Sequence, residues 1–183
     1  MGLKDGKLVY NEMKYIQLGE TSLKIPRIIQ GTTGTGALST NNSERDQKRI
    51  NVIRHGIDLG LNFIDTAELY GGGHAEEIVG ETILGIRSKV IIASKINPEN
   101  CSKNMLSKAL DASLKRLNTD YIDLYQIHWP NPRIPFDETF EVLEKLIDQG
   151  KIRWIGLSNF SLDELKHVKT LSSSIVSLQM EYN

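Results

Sequence analysis

Short apolar runs alternate along this chain with amphipathic helical stretches at about the length of one βα unit, and this alternation constrains the fold more than any other property of the sequence. Strands are predicted over 27–30, 61–65, 90–95, 121–128, 152–158 and 175–181. The first connecting helix carries Ile50, Ile53 and Ile57 and ends near Gly60; the others are predicted over 74–84, 102–117, 136–149 and 161–171. Leu106, Ala109, Leu110, Leu114 and Leu117 form one apolar stripe, and Phe136, Phe140, Leu143 and Ile147 form another. Gly150 is placed to stop the latter helix, and the polar run Ser39, Thr40, Asn41, Asn42, Ser43 to cap the first. Continuously apolar strands between such helices imply a parallel sheet covered on both faces.

Two α/β architectures satisfy that pattern, a doubly wound sheet and a (β/α)8 TIM barrel. No GxGxxG follows the first strand, because Gly34-Thr35-Gly36 runs into Ala37-Leu38-Ser39, and no Walker sequence is present. Polar residues also follow several different strands, which a barrel mouth gathers and an open sheet spreads out. Both points favour the barrel. Eight units need roughly 250 residues, whereas this chain has 183, so an incomplete barrel of about six strands is expected, forming a single domain over 1–183. Ahead of it, Met13 to Gln17 and Ser22 to Ile25 flank Leu18-Gly19-Glu20-Thr21 and predict an N-terminal hairpin.

Composition excludes several classes of function. A net charge of -1 with 25% charged residues leaves no basic footprint for nucleic acid and no basic amphipathic stripe for a membrane. No apolar run approaches the roughly 20 residues of a spanning helix, and Met1 to Lys7 are too polar for a signal peptide. Cys101 is the only cysteine, so no internal disulfide or CxxC pair can form, which fits a reducing cytoplasm. Small molecules are the expected partners.

Four polar groups mark the strand ends: Asp65, Lys95, His128 and the pair Ser158-Asn159. Taken singly, each has a plain structural explanation. Asp65 caps a turn, Lys95 is a solvated charge, His128 is a hydrogen-bonded histidine, and Tyr70, in Glu68-Leu69-Tyr70-Gly71-Gly72-Gly73, is a packing anchor. Together they suit proton donation to a carbonyl oxygen as hydride reaches its carbon. A tyrosine is a weak acid until a cation favours its phenolate; Lys95 supplies that charge, and Asp65 holds the lysine. His128 can donate a hydrogen bond to the same oxygen. The hydroxyl and amides of Ser158, Asn159 and Gln179 suit a carboxamide.

Three segments carry a specific resemblance: Gly60 to Tyr70 (GLNFIDTAELY), Leu114 to Leu117 leading into Tyr121 to Pro130 (YIDLYQIHWP), and Gly150 to Phe160 (GKIRWIGLSNF). Over nearly its whole length the chain resembles an aldo/keto reductase. The resemblance implies a (β/α)8 barrel that reduces aldehydes or ketones with NADPH, or alternatively NADH, without a metal. It places the catalytic tetrad on Asp65, Tyr70, Lys95 and His128, with Tyr70 as general acid. Cofactor contacts fall on Asp65 and, for the nicotinamide, on Ser158, Asn159 and Gln179, the first-strand cofactor loop on Gly31, Thr32 and Thr33, and an aromatic wall of the substrate pocket on Trp129, beside Tyr70 and His128. The family continues past Glu181-Tyr182-Asn183 into two further strands whose loops and helices hold the diphosphate and adenosine. A C-terminally truncated chain is therefore expected to bind the dinucleotide less tightly, and its open barrel edges are expected to favour self-association.

Two other readings stand beside this one. A non-catalytic regulatory or interaction protein on the same fold, such as a channel-associated subunit, has no need of the tetrad. A metal- or base-dependent lyase or aldolase rests only on Lys95 at a strand end and predicts turnover without nicotinamide. His74-x-x-Glu77 lacks a third metal ligand and reads as an exposed helix start. Gly71-Gly72-Gly73 reads as a flexible turn rather than a phosphate loop, and Cys101, near a helix start that could lower its pKa slightly, as passive.

Overall fold

The computed structural model describes residues 2–4, 7–9, 13–34 and 43–181. Two antiparallel hairpins come first. β1 (Gly2–Lys4) pairs with β2 (Lys7–Val9), a hairpin the sequence pattern does not predict. β3 (Tyr15–Gln17) pairs with β4 (Lys24–Pro26), as expected. Its turn is closed by Thr21, whose backbone N–H and hydroxyl both donate to the Leu18 carbonyl at 3.1 and 2.7 Å.

The βα series then runs β5 (Gln30–Gly31), α1 (Ser43–Asp58), β6 (Phe63–Asp65), α2 (His74–Thr82), β7 (Ile91–Ile96), α3 (Leu106–Leu117), β8 (Ile122–Ile127), α4 (Phe136–Asp148), β9 (Ile152–Ser158), α5 (Leu162–Val168) and β10 (Ile175–Gln179). Strand order in the sheet follows chain order from β5 to β10, and every neighbouring pair is parallel. Side chains of all five helices share one core with the same face of the strands, so the helices cover one side and the sheet curls toward a barrel instead of lying open between two helical layers.

Local signals explain most element ends. Ser161 caps α5 in a reciprocal box with Glu164. α4 stops where Gly150 takes φ 72° and the Gly150 and Lys151 N–H groups return to the Ile147 and Leu146 carbonyls. The proposed cap residues 39–42 lie outside the described residues. Several boundaries shift from expectation, and the largest shifts among element starts are two. The first strand starts at Gln30 rather than at residue 27, because Arg27 N–H still donates to the Lys14 carbonyl at 2.9 Å and so extends the hairpin. α3 starts at Leu106 rather than 102; Ser102 to Met105 form a preceding turn in which Met105 and Leu106 N–H groups share the Ser102 carbonyl.

Alternation along the strands sorts side chains between two cores. Ile64, Ile92, Ile96, Tyr125, Ile127, Ile155 and Leu157 face the helices, where Leu106, Leu110, Leu117, Phe140, Leu143 and Leu146 are buried against them. Burial of each such side chain contributes about 1.5–3 kcal/mol. Phe63, Ile91, Ala93 and Leu124 face the barrel interior, where Leu18, Leu23 and Ile25 of the hairpin close the floor with Trp154 and Val176. Above this floor, toward the strand C-termini, the interior becomes polar.

Candidate active site

Period-two alternation builds the site. Two residues beyond interior Phe63 is Asp65, beyond Ala93 is Lys95, beyond Leu124 is Gln126, and four beyond Trp154 is Ser158; all four are buried. Gly156, between Trp154 and Ser158, leaves room for Gln126: a Cβ there would lie 2.7 Å from Gln126 Cγ.

β10 joins this layer only because of a bulge. Ile175 pairs with Ile155, yet Ser177 already pairs with Gly156 and Gln179 with Ser158, so one extra residue is absorbed between them. Ile175 faces the helices and Val176 the interior. Regular alternation would then turn Gln179 outward; the bulge turns it in, and its Nε2 donates to Asp65 Oδ2 at 3.3 Å.

Lys95 is the centre of the arrangement. Its side chain is 2% exposed, and its ammonium donates to Asp65 Oδ1, to the Thr66 carbonyl at 3.0 Å and to the Tyr70 hydroxyl at 3.2 Å. Asp65 also accepts from Gln126 Nε2 at 3.5 Å. A buried charge pair is tolerable because each partner has further hydrogen bonds. The His128 ring meets the Tyr70 ring edge-on, centroids 5.6 Å apart, and Trp129, half exposed, lies 4.8 Å from the His128 ring. The four residues of the expected tetrad and Trp129 are therefore brought together.

The expected cofactor-side residues flank this group. Asn159 takes φ 60°, a conformation asparagine adopts more readily than most residues. Its N–H donates to the Gln179 carbonyl at 3.0 Å, and its Nδ2 donates to the His128 carbonyl at 3.0 Å and Ser158 Oγ at 2.9 Å. It thereby ties together the ends of β8, β9 and β10. Gly31 pairs in register with Asp65. Thr32 is buried, its N–H and hydroxyl both donating to the Asp65 carbonyl at 3.0 Å, while Thr33 lies exposed in the following turn.

Residues 27–183 match the aldo/keto reductase family. The chain belongs to that family. It is 42% identical over 158 residues to methylglyoxal reductase YeaE of Escherichia coli, an alignment covering 86% of this chain and 53% of that protein. Among solved structures, the thermostable aldo-keto reductase Tm1743, crystallised with the inhibitor epalrestat, superposes with a TM-score of 0.89 at 42% identity, over 93% of this chain and 63% of that one. A Klebsiella pneumoniae aldo/keto reductase bound to NADP and acetate superposes with a TM-score of 0.80 at 38% identity, over 88% and 55%. The chain spans about half the length of the curated relatives it matches. Its curled six-stranded sheet is an incomplete (β/α)8 barrel of the aldo/keto reductase type.

Electrostatics give the aldo/keto reductase site an asymmetry. Burial above all, helped by the Lys95 ammonium and opposed by Asp65, pulls the His128 imidazole down from 6.5 to about 4. The ring is neutral at pH 7, so it donates and accepts hydrogen bonds without carrying charge. Its Nδ1 is buried without a protein partner, as is Thr66 Oγ1 beside Lys95. We expect the His128 ring resonances to titrate with a midpoint near pH 4 in two-dimensional NMR; a midpoint above 6 would contradict the burial argument. An unfolded histidine binds its proton near 6.5, so this group's contribution to stability is intact above that pH and is lost as pH falls through about 4.

Sequence reasoning missed Gln126 and the ion pair of buried Glu76 with half-buried Arg116, behind the expected tetrad. Gln126 sits at period two from Leu124, a signal that was legible. Glu76 has no local signal, as its partners Ser94 and Arg116 come from β7 and α3. His74 does start α2, but half-buried between Asp46 at 3.1 Å and Glu77 at 2.9 Å rather than exposed. Among the described residues, no cluster of three or more potential metal ligands occurs, and no helix is long and apolar enough to cross a membrane. Cys101 is buried, and desolvation first, then Glu68 and Glu99, push its thiol up to about 12, the opposite of the lowering a helix start could bring.

Proposed function

We propose that this chain carries the catalytic face of a reductase that converts small aldehydes or ketones to alcohols, with NADPH as the favoured cofactor and NADH as the alternative. One observation carries the reading: a single buried ammonium, on Lys95, touches both the Asp65 carboxylate and the Tyr70 hydroxyl. The names of YeaE and of the NADP-bound Klebsiella enzyme support the reaction class and the cofactor.

When bound, the reduced nicotinamide supplies a hydride to the carbonyl carbon. The donor set at the ends of β9 and β10 fits its carboxamide: one hydroxyl from Ser158 and two side-chain amides from Asn159 and Gln179, beside the buried pair. The Tyr70 O–H gives its proton to the carbonyl oxygen as negative charge develops there, and Lys95 stabilises the phenolate left behind. Asp65, Gln126 and Gln179 hold the lysine system in place without themselves exchanging protons with substrate. Neutral His128, packed against Tyr70, orients the carbonyl oxygen by hydrogen bonding. Trp129 forms an apolar wall for the substituent.

The test is spectrophotometric. Oxidation of NADPH with a simple aromatic aldehyde is expected from this chain, and Tyr70→Phe should slow it roughly 10²–10⁴-fold, the usual worth of a general acid. Equal rates in the two proteins would refute the role of Tyr70. A fluorescence titration showing no NADPH binding would refute activity of the chain as it stands.

A further inference from the structure

The segment from Thr66 to Gly73 carries the Tyr70 hydroxyl onto Lys95; its start is fixed by the Thr66 N–H, which donates to the Ala93 carbonyl of β7 at 2.8 Å, and its backbone contact with β7 lengthens beyond that point. Gly71, Gly72 and Gly73 all take positive φ, 62°, 65° and 98°, where glycine is conformationally free. Glu68 N–H reaches the Lys95 carbonyl only at 3.3 Å, and Gly72 N–H the Leu69 carbonyl at 3.4 Å. Both flanks of Tyr70 converge on one side chain from α3. On one side of Tyr70, Glu68 Oε2 lies 4.0 Å from Arg116 Nη2. On the other, Gly73 packs so closely on Arg116 that a Cβ would fall 2.6 Å from its Cδ and Nε.

Arg116 is itself anchored. Its Nε donates to Glu76 Oε2 at 2.7 Å and its Nη2 to Ser113 Oγ at 3.0 Å. Glu76 is fully buried and also accepts from Ser94, the residue before Lys95. Glu68 Oε1 in turn accepts from the Asn97 N–H and from Asn100 Nδ2, just past the end of β7. One guanidinium thus links the strand bearing Lys95 to both flanks of Tyr70.

We propose that Arg116 is a positioning residue that keeps Tyr70 in register with Lys95, an inference that rests on the reductase reading above. It lies outside the reacting groups and acts through Glu68, Gly73 and Glu76. The planar fork of arginine is what allows it to meet several partners at once, which a lysine point charge cannot fully replace.

The test compares Arg116→Met and Arg116→Lys with the unaltered chain by amide hydrogen exchange and steady-state kinetics. In Arg116→Met, exchange at the Glu68 and Asn97 amides is expected to rise about tenfold or more, with Tyr125 and Ile155 in β8 and β9 unchanged. kcat should fall about tenfold with KM within about twofold, since displacing a catalytic group by a fraction of an ångström costs rate rather than binding. Arg116→Lys should recover part of both effects. Unchanged exchange at Glu68 and Asn97, or an equal rise across β8 and β9, overturns the proposal, as does a change in KM with kcat intact. If the unaltered chain oxidises no NADPH, the reductase reading fails and the exchange pattern alone decides the positioning role. If Arg116→Met does not fold, Glu68→Gln must raise Asn97 exchange by itself, and its failure to do so overturns the proposal.

Discussion

Lys95→Met is expected to abolish measurable carbonyl reduction and to destabilise the chain by about 3–5 kcal/mol, the cost of leaving one partner of a buried ion pair unmatched. The Lys95 side chain is 2% exposed and Asp65 8% exposed, so water cannot replace the lost ammonium. Gln126 and Gln179 still donate to Asp65, but as neutral amides they offset only part of the carboxylate's desolvation. Adding Asp65→Asn to Lys95→Met should therefore restore much of the stability and none of the activity. Urea unfolding measures the first and NADPH oxidation the second. If the double variant were as unstable as the single one, the destabilisation would come from lost packing rather than from an unpaired charge.

The second large effect lies at the other end of the strands. Asp123→Ala is expected to cost about 3 kcal/mol, near the lower end for breaking a buried ion pair because one of its arginines is half exposed. Asp123 is 2% exposed and accepts from Arg87 Nη2 at 2.7 Å, Arg153 Nη1 at 2.9 Å and the Ile92 backbone N–H at 3.0 Å. The two guanidinium groups also stack over the Tyr121 ring, at 3.9 and 4.2 Å from its centroid. The carboxylate thus ties β8 to β7 and β9 and keeps two cations apart. Asp123→Asn, which retains acceptor oxygen but not charge, should lose about half as much. A urea midpoint that falls with an unchanged slope would show that stability changed without altering the denatured state.

Much of the fold is legible from local pattern. The apolar runs around Ile64, Ile92, Leu124 and Ile155 declare strands, the stripes of Leu106 to Leu117 and Phe136 to Ile147 declare helices, and Ser161 and Gly150 mark where helices begin and end. These signals are short in range, so one stretch of sequence contains them whole. The proposed tetrad is legible for the same reason: Asp65, Lys95 and His128 lie at or just past the C-terminal ends of strands, and Tyr70 stands beside three glycines. The first strand starts later than its apolar run predicts because Arg27 bonds to Lys14 in the preceding hairpin, a pairing that the run Arg27 to Gln30 does not reveal.

The βα alternation, the polar strand ends and the family are written in local pattern. How those groups meet depends on contacts across the fold: the β10 bulge that turns Gln179 inward, Gln126 as a further donor to Asp65, and Arg116 reaching from α3 to the segment bearing Tyr70. The difference is one of range. Periodicity tells which face of its own strand a side chain takes, but register between strands and contacts between residues tens of positions apart are set by packing of the whole barrel, and no local stretch records them.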